Sequence, residues 1–419
     1  VNRSIVPLGV AILLALAPDS RAAPPFELVD GDRVVLIGGT MIERDQTYGY
    51  LETRLTRRYP ERSITFRNLG WSGDTVGGLS RARFGTPAEG FKHLVDHVVA
   101  LKPTVVVLGY GANEAFEGPA GLPAFLGGLD VLLAAIEPTK ARLVFLAPNR
   151  QEDLGPPLPD PARHNSDLAL YRDALKDVAG KRGAAFVDLY DLLPNPQPDR
   201  DKGGSGFGNL TDNGIHLNRY GYWVEAGVID KALFGDRDRV IAGSGGGGDP
   251  GKVTVEPRFP AVVQDVEATP DGVRFRLLDA TLPGPLMFPI DHRAVKVSNL
   301  KPGRYALKGD GKPLATGRGG PYSSDVAWKS GVPLGLGPEY DQVEALRLAI
   351  NAKNELYFYR WRPQNETYLF GFRKYEQGRN AAEIVEFDPL IAAKEAEIAR
   401  LRVPVPHVYE LTREGEVGR

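Results

Sequence analysis

The chain contains no cysteine. That absence excludes disulfides, thiolate chemistry, iron-sulfur clusters and cysteine-ligated zinc, so any side-chain nucleophile must attack through oxygen or nitrogen. It also lacks an excess of one charge: 51 Lys and Arg stand against 53 Asp and Glu. With no long basic stretch either, nothing in the composition favours a nucleic-acid partner. Beyond the first twenty or so residues there is no run of roughly 18 apolar residues, the length a membrane helix needs, so no stable membrane span is expected. No internal repeat is evident, which removes solenoids and propellers from consideration.

What remains is an ordinary globular composition of 42% hydrophobic and 25% charged residues, against disorder or a fibrous role. At 419 residues the chain exceeds the usual size of one domain, so a large domain with at least one smaller companion is expected. The first residues read Val1-Asn2-Arg3, then IVPLGVAILLALAP, then DSRAAPPFEL. A positive start, a short apolar core and small residues at a cleavage site describe a signal peptide, residues 1–22, cut after Ala22. Export to a periplasmic or extracellular location follows as the expectation; the alternative is a buried strand or short helix opening the fold.

From Arg33 to about Phe234, short apolar runs alternate with longer amphipathic stretches, the signature of a parallel sheet flanked by helices in three layers. Strands are predicted at Arg33–Ile37, Ser63–Leu69, Thr104–Leu108, Leu143–Ala147 and Ala185–Leu189. Helices are predicted at Tyr48–Tyr59, Phe91–Leu101, Leu122–Ile136 and Leu168–Arg182. The α/β domain is placed at residues 23–242. GSGGGGDPG, residues 243–251, has almost nothing to pack and reads as a linker. Residues 252–317 alternate apolar and polar and carry Asp271-Gly272 and Asp310-Gly311 turns, as a small antiparallel β domain would. Residues 318–419 return to helical patterning with many aromatics, and form a C-terminal region that could pack on the α/β domain.

In open parallel sheets the ligand crevice lies at the carboxyl ends of the strands. Four segments there carry chemistry. Gly38-Gly39-Thr40 leaves the first strand for a helix, where a hydroxyl meets backbone N–H groups able to stabilise an oxyanion; the plainer reading makes Thr40 an N-cap. Asn68–Thr75 follows the second strand, and its glycines let a backbone N–H approach a ligand. Gly111-Ala112-Asn113-Glu114 follows the third, offering an amide donor or a turn cap. Among six histidines, His216 in Asp212-Asn213-Gly214-Ile215-His216 sits in a Gly-containing loop beside a carboxylate, where it is a base or a structural residue.

Taken in order, IGGT at Ile37–Thr40, NLGWSGDT at Asn68–Thr75, GANE at Gly111–Glu114 and DNGIH at Asp212–His216 resemble the four blocks of the SGNH (GDSL-like) hydrolases, over roughly residues 30 to 235. Pro148-Asn149 and Val187-Asp188 add to the likeness. The resemblance implies a flavodoxin-like α/β fold and ester hydrolysis without a cofactor or metal. It also implies Thr40 as nucleophile, the Thr40 and Gly73 amides with the Asn113 side chain as oxyanion hole, and His216 as base. The sequence departs from the pattern where Thr40 replaces serine, where Gly39 replaces the usual aspartate, and where Asn213 stands three residues before His216 with Asp212 one further back. Either Asp212 or Asn213 orients the imidazole.

Glu43, Arg44 and Ser72 are candidate substrate contacts, although acids in a first helical turn are also explained by the helix dipole. His93 and His97 have the i, i+4 spacing of a metal pair but lack the HExxH glutamate. The aromatic run Tyr357–Trp361 could stack on sugars or form core. The expected substrate is a small-molecule or polysaccharide ester, by analogy a carbohydrate ester; the rivals are a non-catalytic glycan-binding protein on the same scaffold and a partner-binding scaffold. Geometry discriminates: a Thr40 oxygen at hydrogen-bond distance from a His216 nitrogen, with a carboxylate on the other nitrogen, favours the enzyme. Oligomeric state is not legible.

Overall fold

The computed structural model describes residues 26–83, 85–195, 208–235, 252–287, 293–314, 322–323, 332–369, 371–376 and 380–415. The expected signal peptide, residues 1–22, and the Gly-rich linker, 243–251, lie outside them.

Five parallel strands form the central sheet: β1 (Arg33–Gly38), β2 (Thr65–Asn68), β3 (Val105–Gly109), β4 (Arg142–Leu146) and β5 (Ala185–Val187), in the order β2-β1-β3-β4-β5. Because side chains alternate across a strand, each run supplies two cores at once. Val35, Ile37, Val106, Leu108 and Phe145 join one buried cluster, with residues of α3 (Pro87–Ala100), α4 (Gly118–Ile136) and α5 (Ala162–Arg182). Val34, Leu36, Val105, Val107, Val144 and Leu146 join the other, with α1 (Thr40–Tyr48), α2 (Tyr50–Arg58) and α7 (Arg219–Phe234). A short α6, Leu189–Leu192, follows β5. The chain is thus the three-layer α/β fold expected, with strand runs apolar on both faces because both are covered.

The helix predicted at Tyr48–Tyr59 is α2, Tyr50–Arg58, and a separate helix, α1, runs before it from Thr40 to Tyr48. Gly49 takes a left-handed conformation (φ 65°) that ends α1 and starts α2, and a Cβ there would come 2.1 Å from Asn351 Oδ1. The stretch Glu114–Thr139 is long and apolar enough, by length and composition, to cross a membrane. Here α4 packs Phe125, Leu129, Leu132, Leu133 and Ile136 into the core.

The accessory β unit comprises β6 (Thr254–Pro257), β7 (Ala261–Thr269), β8 (Gly272–Asp279), β9 (Ala294–Ser298), β10 (Arg304–Gly309), β11 (Lys312–Pro313), β12 (Tyr322–Ser323), β13 (Val332–Pro333) and β14 (His407–Gly415). They form an antiparallel sheet β11-β10-β14-β8-β7, with β12 beside β10, and a second sheet β13-β9-β6. Sequence patterning ends this unit at 317 and leaves residues 318–419 helical. The structure instead inserts β14, from the far end of the chain, between β8 and β10, pairing Tyr409 with Phe275 and Leu411 with Leu307.

The C-terminal helices are α8 (Pro338–Trp361), α9 (Glu366–Leu369) and α10 (Phe387–Leu401). The long α8 docks on the α/β layers. Lys353 is fully buried and its Nζ donates to Glu52 (2.6 Å) and to the Phe66 carbonyl (3.2 Å). Arg347 and Asn351 donate to the Tyr48 and Thr47 carbonyls at the end of α1. A buried ammonium is tolerated only with such partners, so this helix is integral to the fold.

Candidate active site

A cavity of about 70 Å³ opens at the carboxyl end of the parallel sheet, beside the β1/β3 junction where strand order reverses. Thr40, Asn113 and His216 line it, from three segments far apart in sequence. The walls between them are largely apolar, including Met41, Leu146, Leu168 and Ile215.

Thr40 is not an N-cap: Gly39 holds that position with no side-chain capping bond, and Thr40 is the first residue of α1. Its Oγ1 accepts a hydrogen bond from the Gly73 N–H (3.3 Å). The reason a hydroxyl there meets a backbone donor is the loop after β2, which is pinned on several sides. Asn68 Nδ2 donates to the Ile42 carbonyl (2.6 Å) and Asn68 Oδ1 accepts from the Gly70 N–H (2.8 Å). Asp74 and Arg81, with side chains fully shielded from solvent, pair at 2.7 Å, and Arg81 also donates to the Leu69 carbonyl. Burial pushes the Asp74 carboxyl above its usual range in spite of that partner.

Asn113 Nδ2 donates to the Asp74 carbonyl (2.7 Å). A primary amide has two N–H bonds, so the second can serve a ligand in the cavity. Glu114 fixes this corner: its carboxylate accepts from the Gly111 and Val76 N–H groups, both at 2.9 Å, tying the loop after β3 to the loop after β2. Burial raises its pKa.

His216 sits in a loop closed by a Thr211–Leu217 bridge, and donates its backbone N–H to Asn213 Oδ1 (2.9 Å). The Ile215 N–H donates to the same oxygen (3.1 Å), while Asn213 Nδ2 faces His216 Nδ1 at 3.1 Å. With Oδ1 held by two backbone donors, the NH2 group is the one presented to the imidazole, so Nδ1 accepts and the ring proton resides on Nε2. Asn213, and not Asp212, is therefore the ring's partner. Asp212 is exposed, and its N–H donates to the His216 carbonyl. The His216 pKa is lowered by burial and then by the Arg44 charge, while Asp212 opposes the shift. Among the described residues, no hydrogen bond joins Thr40 Oγ1 to His216, so neither the hydroxyl–imidazole contact nor the carboxylate on the far nitrogen is present at rest. Catalytic hydrogen bonds are commonly long in unliganded enzymes.

The three residues expected to touch substrate, Glu43, Arg44 and Ser72, do not line the cavity. Glu43 Oε2 accepts from the Ser72 N–H and from Arg362 Nη1 (2.9 Å), and the Arg362 guanidinium lies 3.6 Å from the Trp71 ring centroid. Both Glu43 and Ser72 are thereby engaged in a clamp between α1, the loop after β2 and the end of α8. Arg44 is half-buried, and its Nη1 has no hydrogen-bond partner.

Sequence reasoning missed Tyr222, whose hydroxyl donates to the Met41 carbonyl (2.9 Å) from α7. It also missed the exposed Phe116, stacked on His164 at the rim with ring centroids 4.1 Å apart. The first lay in the NRYGYW stretch after His216; nothing in the sequence pairs Phe116 with His164. Pro148 and Asn149 line the cavity as well. Asp188 instead caps α6 and meets Arg172. His93 and His97 lie with ring centroids 4.3 Å apart on α3, away from this cavity. Tyr357 and Trp361 are buried in the core beside them.

Residues 31–224 match the sequence model of the GDSL-like Lipase/Acylhydrolase family. The solved structure of a gut microbial diltiazem-metabolizing enzyme superposes with a TM-score of 0.65 at 16% identity, covering 93% of this chain and 99% of that one. At that identity it establishes the shared fold, accessory regions included. An acetylxylan esterase from Geobacillus stearothermophilus matches over 49% of this chain and 95% of its own, with 19% identity and a TM-score of 0.38. No curated protein matches.

Proposed function

From the premise that residues 31–224 form a hydrolase domain of the GDSL-like lipase/acylhydrolase family, we propose that the protein removes a small acyl group from a polar, carbohydrate-type ester. The observation that carries this reading is the convergence of Thr40, Asn113 and His216 on one small cavity, with the Gly73 N–H on the Thr40 hydroxyl. One water needs about 10–15 Å³ of such space, so a cavity of about 70 Å³ takes a handful of heavy atoms, enough for a short acyl chain. The carbohydrate part is supported by the rim, where Phe116 and His164 offer a flat face beside Asn149 and Gln151. Action outside the cytoplasm is supported by the apolar run that precedes Ala22.

In this reading the Thr40 oxygen attacks the ester carbonyl while its proton passes to His216 Nε2. The carbonyl oxygen becomes an oxyanion facing the Thr40 and Gly73 N–H groups and the free Asn113 N–H. The C–O bond to the alcohol then breaks as the imidazolium returns the proton to it. Water repeats the sequence on the acyl-threonine and releases the acid.

Asn213 sets the cost. Nε2 can accept only after the ring proton moves to Nδ1 and the amide turns its oxygen toward it, giving up two backbone hydrogen bonds. That costs about 1–3 kcal/mol, or roughly one to two powers of ten in rate. The same observation favours a second reading, a glycan-binding protein that kept the crevice and lost turnover.

Hydrolysis of 4-nitrophenyl acetate by the full chain, beside Thr40→Ala and His216→Ala, tests the assignment. Loss of activity in both variants, with unfolding temperatures unchanged, is expected. Equal rates for all three proteins would remove the catalytic reading and leave the binding one.

A further inference from the structure

The Gly73 N–H, the donor that meets the Thr40 hydroxyl, projects from a tight turn. Trp71–Asp74 form that turn, closed by the Asp74 N–H on the Trp71 carbonyl (2.9 Å). Gly73 takes φ 73°, the left-handed value that the third position of a type II turn requires. No ladder of neighbouring strands fixes a peptide in such a turn, so the direction of its N–H depends on what holds the corners.

Two of those corners are held from the other end of the chain. Glu43 stands three residues after Thr40 on α1, and its Oε2 accepts from both the Ser72 N–H and Arg362 Nη1 (2.9 Å). The Arg362 guanidinium also lies over the Trp71 ring, 3.6 Å from its centroid, a planar stack that lysine does not reproduce. One side chain therefore touches the residue that opens the turn and the carboxylate that receives the turn's next N–H.

Arg362 is itself fixed. It follows the last residue of α8, and its N–H donates to the Phe358 carbonyl (2.9 Å). Arg347, Asn351 and Lys353 anchor that helix on α1 and α2. The same helix thus grips α1 at its last turn and, through Arg362, at its first, where Thr40 stands. We propose that Arg362 is a positioning residue that acts through Glu43 to hold the Gly73 N–H at the developing oxyanion, an assignment that rests on ester hydrolysis by Thr40. It makes the C-terminal region part of the active site.

The test compares kcat and KM for 4-nitrophenyl acetate, and Ki for methylboronic acid, in the full chain carrying Arg362→Met, Glu43→Ala or both. Both side chains are half-buried, so either can be shortened without opening a core. In the inhibitor complex the Thr40 oxygen adds to boron as its proton passes to His216, and a boronate hydroxyl takes the oxyanion position. Losing an oxyanion donor outright costs about 10²–10³ in kcat; a displaced donor costs less. Arg362→Met should lower kcat about tenfold, leave KM nearly unchanged and raise Ki about tenfold, because a transition-state analogue feels the same donors as the reaction. A fraction of misfolded protein would lower kcat and leave Ki alone, so the rise in Ki separates positioning from stability. The double variant should match Glu43→Ala, since residues acting along one route are not additive. Arg360→Met, which breaks the Arg360–Asp388 pair two residues away, should keep wild-type kcat and Ki.

An unchanged Ki in Arg362→Met, additive losses in the double variant, or an equal effect from Arg360→Met would overturn the assignment and leave the hydrolysis standing. An inactive wild-type protein would remove the reaction and the assignment together.

Discussion

Gly39 and Asn113 are fitted to one another: a Cβ on residue 39 would come 3.1 Å from Asn113 Nδ2. The SGNH pattern places an aspartate at this point, and the structure shows what the glycine permits, an amide donor seated directly over the start of α1. Gly39→Ala should push the Asn113 amide by a few tenths of an ångström. Displacements of that order at an oxyanion donor cost rate more than binding. The expected result is a kcat for 4-nitrophenyl acetate lowered by about tenfold with KM nearly unchanged; a wild-type kcat would show that Asn113 does not serve the oxyanion.

Asn213→Asp puts a carboxylate where the amide NH2 faces Nδ1, which forces the ring proton to Nδ1 and frees Nε2 to accept. In a serine-protease triad, the reverse substitution, Asp to Asn beside the catalytic histidine, lowers turnover by about 10⁴. A rise in kcat of roughly ten- to a thousand-fold is expected here, measured on the same ester. If activity stays flat, the tautomer is not what limits turnover.

The His216 pKa is held down by burial and by Arg44, so the acid limb of kcat/KM should lie below the ordinary histidine value of about 6.5. A base works only when neutral, so the rate falls as pH drops through its pKa. Removing the Arg44 charge raises that pKa, and Arg44→Leu should move the limb to higher pH. Asp212→Asn, which deletes the opposing influence, should move it the other way. Opposite displacements in the two pH-rate profiles are the outcome to look for.

Asp45 is buried against Glu52, and its pKa is raised to about 7 by desolvation first and by the Glu52 charge second, with Lys353 opposing. A carboxyl whose folded pKa exceeds its unfolded value contributes stability that is full below about pH 4 and is lost as pH climbs through about 7. Asp45→Asn should therefore stabilise the fold at pH 8 by on the order of a few kcal/mol, seen as a higher unfolding temperature, and make little difference at pH 4. Thermal melts at the two pH values decide it; an equal change at both would mean that proton uptake at Asp45 is not involved.

Arg81→Met leaves the Asp74 carboxylate without its partner in a site closed to solvent. Breaking one side of a buried pair costs about 3–5 kcal/mol. Denaturant unfolding should show a loss of that order, and because Arg81 also holds the Leu69 carbonyl, hydrolysis should fall with it.

The fold was legible in the sequence wherever local pattern and structure share a period. Residues 34–37 are apolar throughout because both faces of β1 are covered, and four short blocks at strand ends converge on one cavity. Relationships across long separations left no such trace. Glu43 looked like a pocket residue because it follows Thr40 closely, yet its carboxylate is occupied by Arg362, from the other end of the chain. The choice between Asp212 and Asn213 was open because it turns on which amide atom the backbone occupies, and loop geometry alone decides that. β14 read as part of a helical tail because an isolated alternating run near the end of a chain does not reveal which strands it separates.

The place of β14 also governs how the molecule is made. β8 and β10 are synthesised about a hundred residues or more before β14 and are its neighbours on either side, but they do not pair with one another. Until residues 407–415 emerge, both carry an open row of backbone donors and acceptors, the kind of edge on which chains associate wrongly. The accessory sheet is therefore assembled last although most of it is translated before α8, and a chain halted before Pro406 would carry two exposed edges in the middle of what should be one continuous sheet.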